Sequence, residues 1–158
     1  MEIITIDSSN VEAMRPKINN KRCFIKFWMD GCGHCVQMAP EWERMKREIS
    51  KEYTSPGGTV AILDIDAPAS SKIHAGRQVK GFPTIMHTLK GKVVGTYDGP
   101  RTADEMKSWI VASARDLVRS HDKRNKEKKS GKRKRAAKRT RRRRARSRRA
   151  RARSRKAS

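Results

Sequence analysis

The cysteines Cys32 and Cys35, separated by Gly33 and His34, are the side chains of this sequence best suited to chemistry. The apolar run over residues 23–29 predicts a buried strand just before them. The apolar residues that follow recur at helical spacing: Ala39, Trp42, Met45 and Ile49. Two cysteines spaced in this way at the first turn of a helix form a dithiol that can be oxidised to a disulfide. The sequence therefore predicts redox chemistry at this pair.

The two thiols are expected to differ in reactivity. Cys32 would lie near the positive end of the helix dipole and beside unpaired backbone N–H groups, both of which favour its thiolate. A cationic His34 would favour the same thiolate. Cys35 would lie one turn further into the helix, less exposed, and attack a mixed disulfide formed on Cys32. We therefore predict that Cys32 is the nucleophile, that Cys35 is the resolving thiol, and that no cofactor beyond this redox-active pair is required.

A zinc site is the alternative interpretation of the pair, because Cys-x-x-Cys is often half of one. Such a site would need two more ligands from Cys23, His34, His74, His87 and His121, and no second pair has suitable spacing. We therefore predict no metal. Cys23, early in a buried strand, is expected to be a core residue.

Several segments resemble the thioredoxin superfamily. Residues 27–35, Phe-Trp-Met-Asp-Gly-Cys-Gly-His-Cys, resemble its active-site segment, and the Gly-His pair is typical of protein disulfide isomerase domains. Pro40 matches the proline that kinks the active-site helix of these proteins. Residues 80–85 look like the cis-proline loop that faces the cysteines, 61–66 like the central strand, and 97–102 like the connection to the last helix. The resemblance spans roughly residues 1–118.

The resemblance implies a thioredoxin fold, a monomer, and a thiol–disulfide oxidoreductase or isomerase that acts on protein thiols and disulfides. Phe82 and Pro83 would present backbone to an extended substrate segment. Arg101 matches an arginine that swings toward the resolving cysteine and lowers its pKa.

Two positions depart from the family pattern. Where relatives carry a buried acid, two residues before the tryptophan of the active-site strand, this chain has Lys26. That acid normally accepts the proton of the resolving cysteine, so its absence predicts slower reductive turnover. A buried ammonium must reach solvent, form a pair or lose its proton. Gly31 replaces the usual tryptophan before the first cysteine and would open the substrate surface beside the nucleophile.

Hydrophobic patterning by itself predicts the same α/β class. Strands are expected over 2–6, 21–29, about 59–64, 84–89 and 92–97, with a hairpin turn at Gly91 between the last two. Helices are expected from Ser9-Asn10, over 33–53, over 69–77 and over 102–119, the last with an apolar face that includes Leu117 and Val118. Capping boxes are expected at residues 9–12 and 102–105. Together these elements predict a mixed central sheet flanked by helices, in one domain of residues 1–120.

Composition changes abruptly near His121. Residues 121–158 hold 22 of the chain's 40 Lys and Arg but only two of its 16 Asp and Glu, so most of the net charge of +24 lies there. The segment has no aromatic residue and nothing more apolar than alanine, so it cannot bury enough surface to offset its ordering entropy. We predict a disordered basic tail.

Nucleic acid is the expected partner of this tail. Dense positive charge condenses on a polyanion by releasing counterions, and the guanidinium fork grips two phosphate oxygens at once. The tail should bind the backbone without reading sequence. The densest basic runs supply the candidate residues: Lys132, Arg133, Lys134, Arg135, Arg141, Arg142, Arg143 and Arg144. An anionic membrane, an acidic protein and a solubilising role are the alternatives, and the first run also fits a nuclear-import signal.

No secretory signal, membrane span or endoplasmic-reticulum retention motif is visible, so a cytoplasmic or nuclear location, or the inside of a virus particle, is expected. The virus particle enters by analogy, because large DNA viruses encode small proteins of this kind. The leading hypothesis is an oxidoreductase held near nucleic acid. The alternative is a nucleic-acid-binding or virion structural protein that uses the fold as a scaffold.

Overall fold

The computed structural model describes residues 1–119. Its strands and helices follow in this order: β1 (Glu2–Ile6), α1 (Val11–Asn19), β2 (Arg22–Trp28), α2 (Gly33–Glu52), β3 (Tyr53–Thr54), β4 (Val60–Asp66), α3 (Ala67–Ser70), β5 (Thr84–Leu89), β6 (Lys92–Tyr97), α4 (Ala103–Ser113) and β7 (Val118–Arg119). The predicted tail, with its candidate nucleic-acid-binding residues, lies outside the described residues, and the domain boundary at 120 stays a prediction.

The main sheet is mixed, as predicted, with strand order β1-β4-β2-β5-β6. Strands β1, β4 and β2 are parallel, whereas β5 runs antiparallel to both β2 and β6. Strands β2 and β4 are central and almost wholly buried, and their buried residues are apolar except for Lys26 and Asp64.

Alternate residues of these central strands enter separate cores. Phe24 and Ile62 pack with the buried residues of α2 and α4, among them Trp42. Ile25 and Leu63, on the opposite face, pack with residues of β1, α1 and the segment after β4. The α/β architecture predicted from the sequence is confirmed.

The turn between β5 and β6 has the geometry that its sequence predicts. Lys90 and Gly91 form a two-residue loop, with φ of 51° and 76°, the left-handed pair typical of a tight hairpin. Glycine is favoured at the second position for another reason as well: a Cβ there would lie 2.7 Å from Oδ1 of Asn19, whose side chain would have to move.

Two predicted helices are wrong in extent. The helix expected over 69–77 is only α3, followed by a single 3₁₀ turn at Gly76–Gln78. The chain folds back so tightly there that a Cβ on Gly76 would lie 2.0 Å from the Ser70 carbonyl oxygen. The helix expected over 102–119 ends at Ser113, and Val118 belongs to β7, which pairs with β3 in a second, two-stranded sheet. Leu117 therefore lies beyond the helix.

Neither predicted capping box forms. Asn10 and Thr102, the residues before α1 and α4, make no side-chain cap hydrogen bond. The Asp7 carboxylate instead accepts hydrogen bonds from backbone N–H groups just before α1. The N–H of Ala103 donates to Glu41 Oε2 on α2, at 2.7 Å. A tertiary contact thus replaces the local cap at the start of α4. Within residues 1–119, no helix combines the length and apolarity that crossing a membrane requires.

Candidate active site

The cysteine pair lies where β2 passes into α2. Gly31 adopts a φ of +71° and turns the chain between these two elements. Cys32 is the N-cap of α2, in an extended conformation, and its sulfur accepts a hydrogen bond from the Cys35 N–H at 3.3 Å. A sulfur at the N-cap satisfies one of the backbone donors that the first helical turn leaves unpaired. The position of Cys32 is thus a consequence of where this helix starts.

The two cysteines are free thiols in contact with each other. The Cys35 thiol donates to Cys32 Sγ, with the two sulfurs 2.6 Å apart. Cys32 is partly exposed, whereas Cys35 is 8% exposed. Only the first thiol is therefore open to a protein substrate.

The surroundings move the two pKa values apart. The hydrogen bond from the Cys35 thiol lowers the pKa of Cys32, helped by the backbone N–H groups of Cys35 and His34 and by the charge of Arg101. Burial raises the pKa of Cys35, and its hydrogen bond to Cys32 acts in the same direction. This is the asymmetry that a nucleophile and a resolving thiol require.

Gly33 and His34 are both exposed to solvent. The hydrogen bond through which His34 favours the Cys32 thiolate comes from its backbone N–H. The Arg101 charge acts on Cys32 in this structure, whereas the resemblance implied that it acts on the resolving cysteine.

The loop before β5 faces Cys32. The Phe82–Pro83 peptide bond is cis, and the Phe82 carbonyl oxygen accepts a hydrogen bond from the Cys32 thiol at 3.5 Å. Pro83 is buried and Phe82 is partly buried against the core. The structure thus brings together two predicted groups of site residues that are 50 positions apart in the sequence.

Lys26 is paired, one of the three outcomes that a buried ammonium allows. Its Nζ lies 2.6 Å from Oδ1 of Asp64, and both side chains are almost entirely buried. The two residues are partners in the parallel register of β2 and β4. The acid that pairs with Lys26 is therefore supplied by the neighbouring strand. Sequence analysis missed Asp64, although a single acid inside the apolar run 60–65 was a usable signal.

A second lysine completes a buried charge network with this pair. Lys46 Nζ, on α2, lies 2.6 Å from Asp64 Oδ2 and 2.6 Å from Glu43 Oε1. Burial by itself would lower the pKa of Lys46, but its hydrogen bonds to the two carboxylates outweigh burial and raise it. The charge of Lys26 opposes the effect of burial on Cys35 and lowers the pKa of that thiol. The network thus connects the central strands to the helix that carries both cysteines.

The remaining cysteine and the buried histidine are structural. Cys23 is fully buried, and burial raises its pKa to about 11. The His87 ring stacks on Phe24 at a centroid distance of 4.7 Å, and its Nε2 lies 2.9 Å from Nη1 of Arg22. Because arginine can only donate, this nitrogen is the acceptor. Within residues 1–119, no group of three or more His, Cys, Asp or Glu side chains is placed to hold a metal ion.

A Cys-x-x-Cys pair at the start of a helix, beside a cis-proline loop, is an arrangement suited to thiol–disulfide exchange. Residues 4–112 match the family model described as thioredoxin. The chain therefore belongs to the thioredoxin family, and its relatives identify its domain as the kind found in protein disulfide isomerases.

Three similar proteins illustrate this relationship. Over 114 residues the chain is 32% identical to protein disulfide-isomerase A3 of Gallus gallus, and the match covers 72% of this chain and 20% of that protein. Over 93 residues it is 38% identical to protein disulfide-isomerase A4 of Mus musculus, covering 59% of this chain and 13% of that protein. Over 87 residues it is 34% identical to the thioredoxin domain-containing protein 5 homolog of Drosophila melanogaster, covering 55% and 20%. The chain thus spans about a fifth or less of these relatives.

The fold is also that of solved thioredoxin domains. The first thioredoxin domain of mouse protein disulfide-isomerase A4 superposes with a TM-score of 0.54 at 28% identity, covering 72% of this chain and 77% of that one. Human ERp44 superposes with a TM-score of 0.56 at 21% identity, covering 69% of this chain and 28% of that one, and shows likeness of fold alone.

Proposed function

We propose that this protein is a thiol–disulfide oxidoreductase of isomerase type that acts on protein thiols and disulfides. The observation that supports it best is the reduced pair at the start of α2: Cys32 is partly exposed with a lowered pKa, and Cys35 is buried with a raised one. At the level of the family, the relatives are thiol–disulfide oxidoreductases, which favours the same chemistry here.

Each step of the exchange conserves sulfur bonds and protons. The Cys32 thiolate attacks a substrate disulfide, so that one substrate sulfur leaves as a thiolate and takes up a proton. Cys35 then loses its proton to solvent and attacks Cys32 Sγ, which releases the second substrate thiol and leaves the Cys32–Cys35 disulfide. The reverse sequence oxidises a substrate dithiol. If a substrate thiol attacks the mixed disulfide instead, the substrate is isomerised.

The residues around the pair have separate tasks in this proposal. Phe82 and Pro83 present backbone to an extended substrate segment beside Cys32. Gly31 leaves the surface open on the other side, while Lys26 favours the Cys35 thiolate for the resolving attack.

We expect the couple to be more oxidising than thioredoxin, because the surroundings favour the Cys32 thiolate. Its potential should lie nearer the isomerase value of about −180 mV than the thioredoxin value of about −270 mV. Equilibration with a glutathione buffer measures it, and a potential at or below about −270 mV would contradict this reasoning.

Activity assays with three serine variants test the proposal. The reduced protein should catalyse insulin reduction and the refolding of scrambled ribonuclease. Cys32→Ser should abolish both activities, and Cys35→Ser should accumulate mixed disulfides with substrate because release needs the resolving thiol. Cys23→Ser is the matched control. Because the Cys23 thiol is buried in a core, away from substrate, its replacement should leave turnover intact. Undiminished activity in Cys32→Ser would refute the oxidoreductase.

We further propose that residues 121–158 bind nucleic acid without sequence preference, because they hold 22 of the 40 Lys and Arg. Binding should weaken linearly with the logarithm of salt concentration, with a slope of about −9 on duplex DNA if about ten phosphates are neutralised. A chain ending at Ser120 should lose almost all of this binding and keep thiol–disulfide activity. Equal binding by both chains would assign the tail a solubilising role.

The full chain is proposed to act as a monomer in the cytosol, the nucleus or a virus particle. The alternative, a nucleic-acid-binding or virion structural protein with the domain as scaffold, predicts unchanged nucleic-acid binding in an inactive Cys32→Ser protein and no measurable turnover in the unmodified one. Turnover in the unmodified chain therefore separates the two.

A further inference from the structure

The two ends of the main sheet carry different charged residues. The active-site end is the end at which β2 finishes and β5 begins, where Cys32 and Pro83 lie. The basic end is the opposite end of the strands, where β2 and β4 begin and β5 turns into β6. Five residues define it: Lys17, Lys21, Lys90, Lys92 and Arg115.

The connection among these residues is visible in the contacts of the basic end. The Lys90 N–H donates to the Lys21 carbonyl at 3.0 Å, which joins the hairpin turn to the start of β2. The close approach of Asn19 to Gly91 brings the last turn of α1, with Lys17, to the same place.

The segment after α4 reaches the same end through Arg22. The Arg22 guanidinium donates to the Ser113 carbonyl at 3.2 Å and lies 3.3 Å from the Asp116 carboxylate. Arg115 lies in the chain between Ser113 and Asp116, and these two contacts hold that segment at the start of β2. The end of α1, the start of β2, the hairpin turn and the segment after α4 thus meet at this end of the sheet.

Positive charge predominates on this surface because its acids are paired. Glu2 pairs with Lys21, and Asp116 pairs with Arg22. Lys17, Lys90, Lys92 and Arg115 are all exposed. A phosphate backbone approaching this end therefore meets several cations whose charge the two acids do not offset.

The active-site end differs because exposed or partly exposed acids occur there after the strands that end at this edge. Asp7 follows β1, Asp30 lies two residues after β2, Asp66 is the last residue of β4, and Asp98 follows β6. The basic residues of segment 72–80 accompany these acids. A domain charged in this way turns in the field of a polyanion so that its basic end leads.

The described chain also finishes on the side of the basic end. Helix α2 starts beside Cys32 and its 20 residues extend about 30 Å away from it. Strand β3 follows directly at the far end of the helix, and β7 pairs with β3. Residue 119 therefore leaves the fold far from the cysteines, and the segment carrying most of the chain's positive charge continues from that point.

We propose that the basic end is a phosphate-binding surface of the folded domain, which docks on the backbone of nucleic acid and directs Cys32 away from it. The inference rests on the proposed binding by residues 121–158, to which it adds contacts from the domain itself. Its consequence is that the bound protein keeps its active site open to protein substrates, so that disulfide exchange occurs beside the nucleic acid.

Salt-dependent binding of the full chain to a 20-base-pair duplex tests the surface. The variant Lys90→Glu/Lys92→Glu should weaken binding and reduce the salt slope by about two, the value expected when two phosphate contacts are lost. Lys72→Glu/Arg77→Glu is the matched control, because it changes the formal charge equally outside the basic end. Thermal denaturation establishes that both variants are folded.

The outcomes separate this inference from the proposal on which it rests. If the unmodified chain does not bind the duplex, binding by the tail fails, and the docking fails with it. If the unmodified chain binds and the two double variants are affected equally, or neither is, the tail binds without a specific contact from the basic end, and only the inference is overturned. Stronger binding to phosphatidylserine vesicles than to the duplex at equal ionic strength, lost in Lys90→Glu/Lys92→Glu, would make the surface a membrane contact and also overturn it.

The orientation has a separate measurement. The rate at which iodoacetamide alkylates Cys32 should be the same, within about twofold, in the free protein and in a protein saturated with duplex. Protection of Cys32 by the duplex by tenfold or more would place nucleic acid over the active site and refute the outward orientation.

Discussion

Replacing Asp64 by asparagine should destabilise the domain more than any comparable change at an acid on its surface. Asp64 is 4% exposed and lies 2.6 Å from the Nζ atoms of both Lys26 and Lys46. Asparagine has nearly the same shape, so the substitution removes the charge with little change in packing. Two buried ammonium groups then lose their shared counter-ion, and Lys46 keeps only its contact with the half-exposed Glu43.

The expected loss follows from breaking a buried ion pair and leaving its partner charged. Such a change costs about 3–5 kcal/mol of the free energy of unfolding. For a domain of this size, about 1 kcal/mol lowers the melting temperature by about 4 °C, so we expect a decrease of about 12–20 °C. Because the pair is buried, added salt should change this loss little.

Urea denaturation of the reduced protein measures the effect, with Asp104→Asn as the control. Asp104 also forms an ion pair, 2.7 Å from Arg44, but its side chain is 71% exposed and its loss should cost less than about 1 kcal/mol. Combining Lys26→Met with Asp64→Asn should cost less than the sum of the single changes, because one uncompensated charge is removed as well. Equal small losses in the two asparagine variants, or strict additivity in the double variant, would refute the buried network as a source of stability.

Three further predictions concern pH, the resolving thiol and the end of the domain. Burial raises the pKa of Cys23 from 9.0 to about 11, so the folded state retains a proton that the unfolded chain releases. The free energy of unfolding should therefore fall by about 3 kcal/mol as pH rises through this interval. Urea titrations at several pH values measure this decrease, and Cys23→Ala should flatten it. With the nucleophile replaced by serine, Lys26→Met should raise the pKa of Cys35, measured as the pH dependence of alkylation, whereas Lys26→Arg should leave it nearly unchanged; no shift in the methionine variant would show that the ammonium does not act on this thiol. A chain ending at Ser120 should melt close to the full chain, whereas one ending at Ser113 loses β7 and should be less stable by about 2 kcal/mol; equal melting temperatures would mean that the β3–β7 pairing adds no stability.

Local sequence signals were sufficient for the features that depend on neighbouring residues. The hairpin at Gly91 was predicted to its correct strands, since a turn with two left-handed residues is encoded by the turn itself. The buried strands β2 and β4 were evident from apolar runs that Lys26 and Asp64 alone interrupt in their interiors. The position of Cys32 at the start of a helix could likewise be predicted from the apolar run before it and the helical spacing of apolar residues after it.

Local signals failed where a residue's partner lies far away in the chain. The sequence predicted that α4 is capped by its own residues, but the cap comes from Glu41, which is 62 positions away. It predicted a continuous helix through Leu117 and Val118, whose apolar character suits a helix face and a strand equally well. Only the pairing of Val118 with Thr54 decides in favour of a strand at that residue, while Leu117 lies between the helix and the strand.

The environment of Lys26 shows the same division at the active site. The sequence by itself determined that an ammonium lies on the buried active-site strand and must be compensated, because an isolated charge is too costly there. Only the tertiary structure decided how: the register of β2 against β4 sets Asp64 beside it, and the packing of α2 over both strands brings Lys46 to the other carboxylate oxygen. The physical reason is that electrostatic energy depends on distance in space, which sheet register and helix packing determine, whereas the spacing of residues along the chain determines only which of them share a strand or a helix face.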